Sequence, residues 1–191
     1  MPLNHYTRSN IAGERSLRER IASTLQHCGH SYSGPQSFYD SYFYFFRSLK
    51  PKDYFADIVS GSRRLLAERH NGEWTLKNNA KLLPLTVKET ASHYMDVTID
   101  RLKDISEDGW NASQLHQFME SILNNVGPHT QVVDSAIAQK HLDFHLFLRW
   151  ALTAGWSGPS NVVSMEILGK AISLQRLTDA STTLLEHTEN P

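Results

Sequence analysis

"SFYDSYFYFFRSLK", residues 37 to 50, places seven aromatic rings between Phe38 and Phe46. Either these rings form an exposed stacking surface or they are the middle of a core, and the choice decides the fold. On a helical wheel Phe38, Tyr39, Tyr42, Phe43, Phe45, Phe46 and Leu49 fall on one broad arc, with Asp40, Tyr44, Arg47 and Ser48 opposite. Leaving six large rings in water would forgo about 1.5 to 3 kcal/mol each. The arc is therefore read as buried, and the segment as a central helix over 36–49. Tyr44 points away from that arc, beside the basic Arg47, Lys50 and Lys52, and is the ring expected at the surface.

Working outward, prolines and glycines divide the chain into helix-length pieces, because proline cannot continue a helix and glycine favours its C-terminal end. Helices are expected near 11–28, 36–49, 52–70, 86–106, 111–125, 130–155 and 160–187. Gly29 and Gly34 bracket a turn, Pro51 opens the third helix, and Asn111 can cap the fifth. Thr86 with Glu89 makes a capping box at the start of the fourth. In "NGEWTLKNNAKLLPL", residues 71–85, Trp74 and Leu76 alternate with polar neighbours and Asn78-Asn79 can turn, which predicts a small hairpin or extended connector near 72–84. The expected fold is all-α: a single domain over 1–191, an orthogonal or up-down bundle of six to seven helices with flexible ends at 1–10 and 188–191. The apolar helix 130–155 shares the centre with the aromatic one, and the last helix lies across them. Its stripe of Ile167, Ala171, Leu174, Thr178, Ser181 and Leu185 offers a contact for a homodimer.

Composition narrows the class. The chain has 191 residues, 40% hydrophobic and 20% charged, in the range of folded globular proteins. One cysteine, Cys28, excludes an internal disulfide and any multi-cysteine zinc motif and points to a reducing, cytoplasmic setting. The N-terminus lacks the apolar block of a secretory signal. The most apolar run, "FHLFLRWALTAGW", is interrupted by His145 and Arg149 and is too short to cross a bilayer. The net charge of -1 hides an asymmetry: residues 1–81 carry twelve Lys/Arg against seven Asp/Glu, and residues 82–191 carry seven against thirteen. A charge dipole of this kind suits an anionic partner on the N-terminal half or head-to-tail self-association.

Several constellations invite chemistry. In "VVDSAIAQKHLDFHLFLRWAL", residues 132–152, His141 and His145 lie a helical turn apart, as two ligands of one metal would, with Asp134 and Arg149 along the same stripe. A transition metal would need a third ligand from another helix, with His93, His116 and His129 available. His93, Asp96 and Asp100 share a face with Glu89, Lys103 and Asp104 and read as an ordinary solvated surface. "QHCGH" groups His27, Cys28 and His30 at a helix end without a second pair of zinc ligands. Residues 85–110 begin and end like a helix-turn-helix, but their apolar period runs unbroken from Val87 to Ile105, as in one long helix. Glycine-rich phosphate loops, nucleophile elbows, paired-cysteine fingers and dinucleotide fingerprints are absent from the sequence.

"RRLLAERH", residues 63–70, resembles the arginine-to-histidine motif of the HEPN helical ribonucleases, with Arg63 and His70 seven apart and Arg64 at the family's polar position. That resemblance implies a pair acting on a scissile phosphate in a dimer cleft.

These readings lead to one functional expectation and two alternatives. The first is a non-enzymatic regulatory or accessory protein, without a cofactor, that binds nucleic acid or an acidic protein surface through Arg47, Lys50, Lys52, Arg63, Arg64 and Arg69, with Tyr44 beside them. The alternatives are a helical enzyme holding a divalent transition metal on His141 and His145, and a HEPN-like ribonuclease using Arg63 and His70.

Overall fold

The structure, a computed structural model, describes residues 15–28, 32–50, 53–54, 66–70, 73–78, 81–84, 92–126 and 134–189. Among them the fold is helical, as the periodicity predicts. Seven α-helices are described: α1 (Leu17–Cys28), α2 (Pro35–Tyr42), α3 (Ser92–Lys103), α4 (Ala112–Val126), α5 (Asp134–Thr153), α6 (Asn161–Leu168) and α7 (Lys170–Glu189). A 3-10 turn at Phe43–Phe45 follows α2, and β1 (Leu66–His70), β2 (Glu73–Asn78) and β3 (Lys81–Pro84) form an antiparallel sheet in the order β1-β2-β3.

Local chemistry sets the starts of α1, α4 and α6. Ser16 and Glu19 form a capping box on α1: the Ser16 hydroxyl accepts from the Glu19 amide, and Glu19 accepts from the Ser16 amide at 2.7 Å. The Ser16 hydroxyl, donating to the Glu19 carboxyl, and then the Ser16 amide hold that carboxyl below its usual range. The expected start at residue 11 thus gives way to a capped start at Leu17. Asn111 caps α4 as expected, its side-chain oxygen accepting from the Gln114 amide at 3.0 Å. Ser160 caps α6 through the Val163 amide. The Thr86–Glu89 capping box, Gly29 and Pro51 lie outside the described residues.

Two expectations are corrected here. Of the helix expected over 52–70, residues 53–54 are helical and 55–65 lie outside the described residues, but Leu66–His70 is a strand, paired with β2 in the register Leu66↔Lys77 to His70↔Glu73. Backbone groups that a helix would satisfy locally are satisfied across the ladder instead. The residues between β1 and β2 are Asn71 and Gly72, the strongest short-range hairpin signal a sequence can carry. The expected hairpin near 72–84 is present as β2 and β3, with Asn78 opposite Lys81.

The second correction concerns the last helix, which is broken into α6 and α7 at Gly169, whose φ of 78° an L side chain rarely adopts. The break resets the helical phase. Among the described side chains of α7, Ser173, Arg176, Leu177, Ala180 and Thr183 are buried, while Thr178 is exposed.

The core joins these elements around Phe45, Trp150, Leu148, Met165 and Leu177. Helix α3 contributes Met95, Ile99 and Leu102 and leaves Asp96 and Asp100 in water; α4 contributes Leu115, Met119 and Ile122. Helix α7 packs on α3, α5 and α6, while α6 also meets α1 and α4. Its cations close other helix ends. Lys170 Nζ donates to the Lys103 and Ile105 carbonyls past the end of α3, at 2.7 and 2.6 Å. Arg176, 3% exposed, donates to the Leu152 carbonyl at the end of α5 and to the Tyr44 and Arg47 carbonyls of the aromatic segment. No described helix is long and apolar enough to cross a membrane.

Substituting Gly169 tests the break. A β-carbon there would sit 3.2 Å from Arg15 Cγ in a left-handed backbone. Gly169→Ala is expected to lower unfolding free energy by about 1 to 2 kcal/mol in urea titrations, with an unchanged m-value.

Candidate functional site

The exposed basic residues expected to meet a partner begin where the aromatic segment ends. After the 3-10 turn the chain bends back, so that Asp53 can accept from the Lys50 amide at 2.8 Å while the Asp53 amide donates to the Lys50 carbonyl at 2.8 Å. The same carboxylate takes the Arg47 guanidinium at 3.3 Å, and Arg47 also lies over the Phe43 ring at 4.8 Å. The Arg47 carbonyl is held from inside by Arg176 at 2.9 Å. The result is a corner with a fixed backbone, from which the Arg47 side chain, 43% exposed, and the exposed Lys50 face solvent. One buried carboxylate against two cations leaves the corner net positive.

Tyr44 does not belong to that surface. The ring is 0% exposed, and its hydroxyl donates to the Ser157 carbonyl at 2.9 Å, across the chain at the end of α5. The wheel assigned it outward by assuming a continuous α-helix, but α2 ends at Tyr42, whose φ of -130° and ψ of 11° leave helical geometry, so the wheel's phase does not carry on to Tyr44. Burial pushes its hydroxyl pKa far up. Tyr39, assigned inward, is instead 51% exposed and lies nearly parallel to Phe46, with centroids 6.4 Å apart and 22° between planes. It is the aromatic at the surface of this segment that the wheel missed; its position near the edge of the arc, flanked by polar Asp40, was the available signal.

Of the other expected partner residues, Lys52, Arg63 and Arg64 lie outside the described residues, and Arg69 sits on β1 with its side chain outside the described set. Arg18 on α1 is exposed. On the acidic side, Asp96, Asp100, Asp104, Glu107 and Asp108 are all exposed, along α3 and the loop that follows it.

His70 lies on strand β1, so the seven-residue helical spacing that carried the HEPN resemblance is not realised. His141 and His145 both lie on α5; His145 is exposed, and the His141 side chain is outside the described set. Among the described residues no three His, Cys, Asp or Glu side chains gather as metal ligands would. Cys28 is buried, and burial pushes its thiol up, which makes it a poor nucleophile. Its neighbour His27 lies 3.5 Å from Glu166, which also accepts from the Ala112 amide at the start of α4.

Arg176 is a buried cation of the described interior. Desolvation lowers its pKa to about 10, opposed by the tyrosine hydroxyls of Tyr54 and Tyr44, so it stays charged at neutral pH. A depressed value for a base means that burying the charge costs stability at pH 7, a cost relieved only as pH rises past about 10. The three carbonyls offset that cost.

Comparison with models of protein families, with curated proteins and with solved structures gives no match for this chain.

The placement of Tyr44 predicts a coupling. A β-carbon at Gly158 would collide with the Tyr44 hydroxyl, while the ring carbon behind it stays 3.3 Å away. Gly158→Ala should destabilise the protein by about 1 to 3 kcal/mol, and clearly less in a Tyr44→Phe background; chemical denaturation of the four proteins of the cycle measures the difference.

Proposed function

We propose that this protein is a non-enzymatic accessory or regulatory factor that binds nucleic acid through its basic N-terminal half. The observation that carries this reading is the corner made by Arg47, Lys50 and Asp53, where Arg47 and Lys50 face outward while Asp53 and Arg176 bond the chain from within. Pre-placed cations bind phosphates with little ordering cost, and each phosphate contact releases counterions. Charge elsewhere agrees in direction. Lys170 and Arg176 are spent on backbone carbonyls, while Asp96, Asp100, Asp104, Glu107, Asp108 and Glu120 are exposed, and these carboxylates would keep a polyanion away from their surface.

Binding is then dominated by backbone charge. Affinity for an oligonucleotide should fall along a straight line of log K against log salt, and Arg47→Ala with Lys50→Ala should flatten the slope by roughly 1.4 to 1.8. Fluorescence anisotropy across a salt series measures this. Binding that ignores salt, or no binding at low salt, would refute the reading and leave a protein partner.

A further inference from the structure

Among the described residues the exposed large apolar side chains are Leu17, Leu25 and Tyr39. Tyr39 differs from the leucines in its setting. Its ring, 51% exposed, lies 22° from parallel with Phe46, and Phe46 in turn packs on Phe38 at 5.7 Å. The chain continues directly from Phe46 into Arg47, whose guanidinium covers Phe43, and on to Lys50. One outward aromatic face, supported from behind by a second ring, thus belongs to the same short segment as the two cations of the corner.

We propose that the Tyr39–Phe46 stack is a platform for one unpaired base, and that the ligand of this surface is single-stranded nucleic acid. The inference rests on the nucleic-acid reading above and adds its ligand class. In a duplex every base already has two stacking neighbours, so an outward ring gains nothing from it; an unpaired base has a free face to offer. The supporting ring matters because an isolated surface tyrosine would lose rotamer freedom on binding, whereas this one is already oriented. Charge fixes the side from which a strand approaches. Asp40, tied to Gln36 at 2.8 Å, is an exposed carboxylate next to Tyr39 and repels phosphates, while Arg47 and Lys50 attract them. The backbone then runs over Arg47 and Lys50 with a base turned onto Tyr39.

The test uses the full chain, a labelled oligothymidine and a duplex of equal length, in anisotropy titrations at several salt concentrations. The single strand should bind more tightly than the duplex. Tyr39→Ala should weaken single-strand binding by roughly 5- to 100-fold and leave the salt slope unchanged, because stacking moves no counterions. Tyr39→Trp and Tyr39→Phe should retain affinity. Tyr39→Leu keeps apolar bulk without a π-face and should lose as much as Tyr39→Ala, which preserves the test if the alanine variant fails to fold. Salt-dependent binding that is indifferent to Tyr39→Leu, or that favours the duplex, overturns the platform while leaving the nucleic-acid reading intact. Absence of binding to either probe by the unaltered protein overturns both.

Discussion

A single buried guanidinium ties the aromatic segment to the rest of the bundle. Helices and 3-10 turns end with carbonyls that have no partner in their own segment, and inside a core each of these would cost about 1 to 3 kcal/mol if left bare. Arg176 reaches Leu152, Tyr44 and Arg47 at once, so that one side chain closes the end of α5 and the end of the 3-10 turn. Desolvation of its charge is a real penalty, and a planar fork with five donors is the side chain best able to recover it from several carbonyls. Tyr54 locks the same junction: its carbonyl accepts from the Trp150 indole at 3.1 Å and its hydroxyl donates to the Ala151 carbonyl at 3.2 Å.

The proposed interface inherits its rigidity from that junction. The carbonyl that Arg176 holds belongs to Arg47, the residue whose side chain is presented to solvent, so the interior and the surface of the corner are two sides of one residue. The buried Asp53 carboxylate completes the corner by accepting from both the Lys50 amide and the Arg47 guanidinium. Seen this way, the aromatic segment does two things that first looked like alternatives. Most of its rings fill the core, and one edge of it, Tyr39 with Arg47 and Lys50, faces outward.

Much of the helical content was legible because it follows from local signals. Asn111 placed the start of α4 within a residue, and the apolar period of α3 separated Met95, Ile99 and Leu102 from Asp96 and Asp100. The Ser16–Glu19 box and the Asn71-Gly72 pair were equally local and were there to be read. Other features depend on contacts distant in sequence. Residues 66–70 are a strand through pairing with β2, and Tyr44 is buried where the α-helix breaks at Tyr42 and Ser157 can accept its hydroxyl. Arg176 looked like any helix arginine, since its partners lie 24 to 132 residues away. At the candidate site the cations Arg47 and Lys50 were readable from composition, whereas exchanging Tyr44 for Tyr39 needed the fold.

Replacing Arg176 with Met is the most direct measurement of the central claim, because the volume is nearly kept while all three carbonyls lose their donor. If the guanidinium braces the junction, amide hydrogen exchange should speed up at least roughly tenfold in residues 43–54 relative to α4, and global stability should fall by about 3 kcal/mol or more. A variant as stable as the parent, as buried charges replaced by apolar groups sometimes are, with an unchanged exchange pattern at 43–54, would contradict it.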